Sequence, residues 1–339
     1  MDLNTIWFLL VGVLFTGYAI LDGFDLGVGP LLLAAKSDEE RRIFLNAIGP
    51  IWNGNEVWLV TGGGALFAAF PNVYATVFSG FYDAFMLLLF ALIFRALAIE
   101  FRGQRPEAGW RRMWDIAFCV GSVASALLIG VAMGNIVWGI PLDANHDFHG
   151  GLLALLHPYA LFVGVTTVAL FAMHANLYLV LKTDGALQQK LMRWTTWTVP
   201  AYLVCFFALN LVTIFTVPHI QTALESRWLF LGGIHLFALL VTANILREVR
   251  RGRDGRAFIC SSLSIVALMI QFGAAVFPNM VFSKPDLANS LNIYNGASTA
   301  KSLNFMLYVA LIGVPIVLAY TATIYYVFRG KVTLNEESY

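Results

Sequence analysis

Charge is scarce in this 339-residue chain: Asp, Glu, Lys and Arg make up 12% of it, about half of the roughly 25% found in an ordinary soluble domain. So thin a polar coat excludes a soluble globular protein. Basic residues are not in surplus either, with a net charge of +1; at this composition the distribution of charge is informative rather than its sum, and no nucleic-acid partner is expected. Cysteine is almost absent. Cys119, Cys205 and Cys260 stand in separate apolar runs, which rules out a disulfide framework, a zinc pattern or a CxxCH haem attachment and leaves them as packing residues. The first apolar run has no basic region before it and no small-residue cleavage site after a short core, so it reads as a retained span rather than a signal peptide. Long linkers, low-complexity stretches and internal repeats are also missing, which predicts one domain over residues 1–339.

Hydrocarbon is what remains. The chain is 59% hydrophobic and 14% aromatic, the composition of an all-α, polytopic membrane protein. Apolar stretches of about 20 residues predict nine transmembrane helices at 6–34, 50–70, 74–100, 114–138, 156–181, 195–217, 228–247, 258–278 and 304–328. Two four-helix bundles plus a peripheral helix would accommodate that number. The second span is interrupted by Gly62, Gly63 and Gly64, and only a turn at Pro71 separates it from the third. Basic residues test the count. Of the 21 Lys and Arg, all but Arg95, Arg227, Lys284 and Lys301 fall beside the loops after spans one, three, five, seven and nine. By the positive-inside rule the N-terminus is then outside and the C-terminus cytoplasmic.

Against this background ILDGFDLGVG, residues 20–29, is anomalous, because Asp22 and Asp25 are the only charges between Ile6 and Ala35. At about 1.5 Å per residue they lie roughly 15 to 20 Å from the cytoplasmic end of their helix. Glu56 in the second span and Arg95 in the third are each about 9 Å from the same side. Asp22 and Asp25 are spaced i, i+3, and Asn53 and Glu56 repeat that spacing, which places each pair on one helix face. A charge near the bilayer centre costs on the order of 3 kcal/mol, so such residues face the protein interior, pair, and mark ion or proton pathways. Two readings stand: Arg95 neutralises one carboxylate and locks three helices together, or the surplus carboxyls carry protons.

The six histidines do not form a metal site. His146, His149, His157 and His219 lie at or near the outer surface, while His174 and His235 lie at different depths in the membrane. A bis-histidine haem needs two at one depth, so the chain alone is expected to bind no haem and no metal, and Met133, Met173 and Met269 read as packing. Trp52 and Trp58 bracket Asn53 and Glu56 in PIWNGNEVWLV. They read either as interface anchors or as the rigid wall of an oxygen or quinone path.

The stretches ILDGFDLGVG, RRIFLNAIGPIWNGNEVWLVTGGGALFAAFPNVYATVFSGFY, GVAMGNIVWGIP, LLHPYALFVGV and LNIYNGASTAKSLNFMLYVALIGVPIVLAYTATIYY resemble subunit II of the cytochrome bd quinol oxidases, with the cyanide-insensitive branch the most similar. The likeness runs from the first span to the ninth. It implies a haem-free, nine-helix subunit paired with a similarly folded subunit I that carries two b haems and one d haem. Such a pair sits in a bacterial inner membrane, oxidises quinol at the outer side and reduces dioxygen with cytoplasmic protons. It leaves room for a bound quinone and for small single-helix accessory subunits. By match to the family's motifs, Asp22 and Asp25 in DGFD, Glu56 in WNGNEVW and Arg95 in FR are polar positions near the subunit interface and proton path, and Trp58 matches a tryptophan associated with oxygen access. No catalytic residue is expected in this subunit. One departure stands out: where several relatives have an acid this chain has Asn53, and its acid is Glu56. A purely structural scaffold for subunit I is the alternative. A proton-coupled transporter is disfavoured, since TGGG has no counterpart in a second half to make paired broken helices.

Overall fold

The computed structural model describes residues 2–284 and 286–334. Among these, the chain forms twelve α-helices: α1 (Leu3–Leu32), α2 (Asp38–Ile48), α3 (Trp52–Ala69), α4 (Pro71–Gly80), α5 (Tyr82–Phe101), α6 (Ala108–Trp138), α7 (Leu152–Leu155), α8 (Pro158–Lys182), α9 (Gly185–Thr216), α10 (Pro218–Arg250), α11 (Asp254–Val276) and α12 (Ala300–Val327). A small antiparallel ribbon pairs β1 (Asn279–Val281) with β2 (Leu291–Asn292) in the link between α11 and α12. Eight of the described helices are long and apolar enough to cross a membrane: α1, α5, α6 and α8 to α12.

Two expected spans come out differently. The predicted 50–70 span is α3, whose Asn53, Asn55, Glu56 and three consecutive glycines leave it outside those eight. The predicted 74–100 span is two helices, not one, because the chain leaves helical geometry at Phe81 (φ −102°, ψ 21°). The link between α6 and α8 wedges in at that point. The Phe148 ring fills the space a side chain at Gly80 would need, its centroid lies 6.3 Å from that of Phe81, and the His146 carbonyl accepts from Thr76 Oγ1 at 3.0 Å.

Side-chain bonds between distant segments define two ends of the bundle. At one end Arg102 and Arg111 reach Asp38 at 2.6 and 2.7 Å, Lys190 reaches Glu40 at 2.7 Å, Gln188 donates to Asp254 at 2.8 Å, and Lys182 donates to the Phe328 carbonyl at 2.5 Å. The loops that carry nearly all the basic residues therefore meet. At the other end Tyr294 donates to Asp2 at 3.1 Å, Ser298 N to the Ala69 carbonyl at 2.8 Å, and Arg227 to the Ala274 and Phe277 carbonyls at 2.8 and 3.3 Å. There Arg227 sits at a kink in α10 and neutralises the last carbonyls of α11, as a cation at a helix C-terminus does.

Helix α2 follows from its caps and its pattern. Ser37 accepts from Glu40 N at 3.1 Å while the Glu40 carboxylate accepts from Lys36 N at 2.6 Å, a reciprocal arrangement close to a capping box. Three acids in its first turn suit the positive helix end. Its apolar face, Phe44, Leu45, Ala47 and Ile48, is buried against Phe24, Val28 and Leu32 of α1.

The centre of the molecule is α1, which packs on α3, α6, α8 and α11. Close approach depends on one glycine in particular: a Cβ at Gly27 would overlap the Phe171 carbonyl of α8. Likewise a Cβ at Gly121 of α6 would come within 2.6 Å of the Ala91 carbonyl of α5. Asp22, Asp25 and Arg95, all fully buried, lie on the helices that meet at these seams.

Candidate functional site

The opening anomaly resolves into one ion cluster. Asp22 and Asp25 come from α1, Asn55 and Glu56 from α3, and Arg95 from α5. Arg95 makes a two-pronged bond to Asp22, Nη2 to Oδ1 at 2.7 Å and Nη1 to Oδ2 at 3.2 Å. Its Nη1 also donates to Glu56 Oε1 at 2.9 Å. Asp25 is held differently. Its Oδ2 lies 3.8 Å from Arg95 Nη2 and accepts instead from Asn55 Nδ2 at 2.8 Å, while its Oδ1 is buried with no hydrogen-bond partner among the described residues.

Exposure grades the three carboxyls. The side chains of Asp22, Asp25 and Arg95 are 0% exposed, and that of Glu56 is 26% exposed. A forked guanidinium bond to a dry carboxylate is the strong, directional kind, so Asp22 is the fixed counter-ion. Glu56 is the member that opens outward. One cation faces three carboxyls, and uncompensated charge in a dry site is costly. Chemically the arrangement can hold a proton on a carboxyl that Arg95 does not clamp, and can pass it on.

Asn53 is not in the cluster. It is exposed in the first turn of α3, and the amide that enters is that of Asn55, 2% exposed. The i, i+3 spacing to Glu56 singled out Asn53, but the buried face of α3 is Asn55, Trp58, Gly62, Leu66 and Ala69. That three-and-four stripe is present in the sequence and contains Asn55. Trp58, 8% exposed, packs with Leu14 and Tyr18, its ring against Gly17. Trp52 is half-buried on the other side, among residues that include Ile324 and Tyr325.

Closer to the basic end a second network ties α2 beneath the first. Arg102 Nε bonds Asp115 Oδ1 at 2.6 Å and its Nη2 bonds Asp38 Oδ1 at 2.6 Å. Partial burial pushes the Asp38 carboxyl up, but the Arg102 hydrogen bond and the charges of Arg102, Arg111 and Arg42 outweigh it and hold Asp38 below its ordinary value. Glu40 is likewise lowered, burial being outweighed by Lys190 and by the backbone N–H groups of Lys36 and Ser37's turn.

Both membrane-depth histidines have protein partners. His174 Nε2 lies 3.0 Å from the Ile20 carbonyl and Nδ1 2.7 Å from Ser261 Oγ. A carbonyl only accepts, so Nε2 carries the hydrogen, and both ring nitrogens serve to join α8 to α1 and α11. His235 lies 3.5 Å from Gln271 Nε2 and stacks on Phe206. Among the described residues no group of three or more His, Cys, Asp or Glu is arranged to hold a metal ion.

The model of the cytochrome bd terminal oxidase subunit II family matches residues 3–328. The chain belongs to this family. Over 364 aligned residues it is 35% identical to the cytochrome bd-I ubiquinol oxidase subunit 2 of Escherichia coli K12, covering 98% of this chain and 96% of that one. It is 34% identical to the cytochrome bd ubiquinol oxidase subunit 2 of Bacillus subtilis, covering 99% and 98%. The bd oxidase of Geobacillus thermodenitrificans has the same fold, with a TM-score of 0.80 over 97% of this chain and 99% of that chain at 15% identity. The subunit is thus a component of a bd-type terminal oxidase, and its ion cluster belongs to a respiratory membrane protein.

Proposed function

We propose that this chain is the haem-free second subunit of a quinol:dioxygen oxidoreductase, and that Asp25 delivers protons taken from the cytoplasm toward the oxygen-reducing haem of subunit I. The Oδ1 of Asp25 carries this reading: a buried carboxyl oxygen with no donor among the described residues, next to a clamped ion pair, is a place to put a proton. Asp22 and Arg95 supply the fixed charge that makes a second anion there costly, and Glu56 supplies the outward-facing carboxyl. Trp58 and Trp52 wall the same end of α3, where a gas or quinone path would run.

The redox groups, two b haems and one d haem, reside in subunit I in this reading, as does quinol oxidation. Accessory single-helix subunits and a structural quinone are compatible with the exposed apolar faces of the outer helices. The chain forms a single membrane domain of nine crossings, arranged as two four-helix bundles and a peripheral helix. Supporting α3 as the ninth, the chain enters it from α2 at the basic end, and the Ala69 carbonyl at its far end accepts from Ser298 N. By the positive-inside rule the basic end is cytoplasmic, the N-terminus lies outside, and the membrane is the bacterial inner membrane.

A reduced-minus-oxidised spectrum separates this reading from its rivals. The complex purified through a tag on this chain should show b and d haem bands, and the chain expressed alone and folded should show none. Haem bands retained by the isolated chain would contradict the haem-free assignment, and their absence from the tagged complex would contradict the oxidase assignment.

A further inference from the structure

Asn55 reaches Asp25 with both ends of its amide already committed. Its Nδ2 donates to Asp25 Oδ2 at 2.8 Å and to the Leu21 carbonyl at 3.1 Å. A backbone carbonyl only accepts, so this orientation is fixed and Oδ1 must face the other way. There it accepts from the hydroxyl of Tyr325 at 3.0 Å. Tyr325 stands on α12, the outermost helix, in which only Leu303 is buried. A peripheral helix thus places one hydroxyl against the back of the amide that holds the central carboxyl. Beside this contact a cavity of about 20 Å³ touches Asn55, Tyr325 and Thr321, enough for one water.

Turning the amide over would aim its oxygen at Asp25. That orientation repels a carboxylate and accepts from a carboxylic acid. The orientation seen here does the opposite, because an N–H donor favours the ionised form. An amide does not itself carry a proton near neutral pH, so no proton path runs through Asn55.

We propose that Tyr325 is a positioning residue for proton transfer at Asp25, acting through Asn55 by locking the amide with its N–H groups toward the carboxyl. This rests on the reading of Asp25 as the proton carrier. The proton arrives on Asp25 Oδ1 and leaves from that oxygen, and no covalent bond of Asn55 or Tyr325 changes. Without the Tyr325 hydroxyl the amide keeps only the Leu21 carbonyl to hold its orientation, so its bond to Asp25 weakens and Asp25 releases its proton less readily. The charged and titratable groups facing Asp25 are Asp22 on its own helix, Glu56 on α3, Arg95 on α5, Tyr178 on α8 and Tyr325 itself. Tyr325→Phe leaves all but the last intact.

The test uses the intact oxidase complex and infrared difference spectra in H₂O and D₂O, which resolve the C=O stretch of a protonated carboxyl. The Asp25 band is the one missing in Asp25→Asn. In Tyr325→Phe, with haem content retained, that band should change frequency and persist to higher pH by about one pH unit, the equivalent of one weakened charge-assisted hydrogen bond. The alkaline limb of oxygen consumption should move in the same sense. Asn55→Ala should shift both further, and serves as the test if Tyr325→Phe does not assemble. Tyr325→Phe added to Asp25→Asn should change turnover no more than Asp25→Asn alone. A band and pH profile identical to those of the parent complex in Tyr325→Phe, or in Asn55→Ala, would overturn the proposal; a mere packing role for Tyr325 lowers melting temperature and leaves both in place. If Asp25→Asn removes no band and leaves turnover unchanged, the proton reading of Asp25 falls, and the proposal with it.

Discussion

The two aspartates of DGFD should respond very unequally to the same substitution. Asp22→Asn removes the fully buried partner that binds Arg95 with two bonds of 2.7 and 3.2 Å. Breaking a buried pair from one side costs about 3 to 5 kcal/mol. Glu56 still reaches Arg95 at 2.9 Å, and the new amide oxygen can accept one bond, so the lower end of that range applies. About 3 kcal/mol is about two orders of magnitude in the ratio of assembled to unassembled protein. Asp25→Asn gives up only the 3.8 Å approach to Arg95, and its remaining oxygen still accepts from Asn55, so it should cost about 1 kcal/mol or less. The assay is haem per subunit and melting temperature of the complex purified through a tag on this chain. Asp22→Asn should be depleted in both, Asp25→Asn near normal, and Arg95→Gln combined with Asp22→Asn should recover much of the loss. Equal haem content and melting temperature in the two single variants would refute the division into a clamped ion and a free carboxyl.

Gly27→Ala should destabilise the subunit by about 1 to 3 kcal/mol, because the added Cβ meets the Phe171 backbone, whereas Gly12→Ala, with nothing within 4 Å, should be close to neutral; melting curves compare them. Asp38 and Glu40 titrate below their ordinary values in the folded protein. Their contribution is therefore complete above the ordinary carboxylate value of about 4 and is lost only as pH falls below it. Hydrogen exchange of the α2 amides, corrected for intrinsic rate, should show protection that is constant from pH 7 to 5 and falls below about pH 4. A cytoplasm-only reporter fused to the C-terminus should be active, and activity of a periplasm-only reporter there would refute the orientation.

Most of the ion cluster was legible in the sequence because its members are rare. A carboxyl or guanidinium in an apolar run has few partners, and depth counted at a fixed rise per residue brings Asp22, Asp25, Glu56 and Arg95 into the same half of the membrane. What depth cannot give is rotation about the helix axis. Asn53 and Asn55 differ little in depth, and only the side of α3 that faces α1 decides between them. Tyr325 was hidden for a related reason: on an exposed helix rich in aromatics, nothing local distinguishes the one tyrosine whose hydroxyl points inward. The break at Phe81 depends on Phe148, distant in sequence, and hydropathy reads continuously through it. Helix α2 was legible in principle, since Ser37 and Glu40 stand at capping-box spacing, but a search for 20-residue apolar runs passes over an amphipathic segment of 11 residues.

The most direct measurement is oxygen uptake by the Asp25→Asn complex, with saturating quinol and full haem occupancy. If Asp25 delivers protons, turnover slows while assembly and haem content stay normal, because the amide keeps the shape of the carboxyl and cannot exchange a proton at neutral pH. Uptake equal to that of the parent complex would contradict a proton role for Asp25 and leave the cluster as a clamp that holds three helices together.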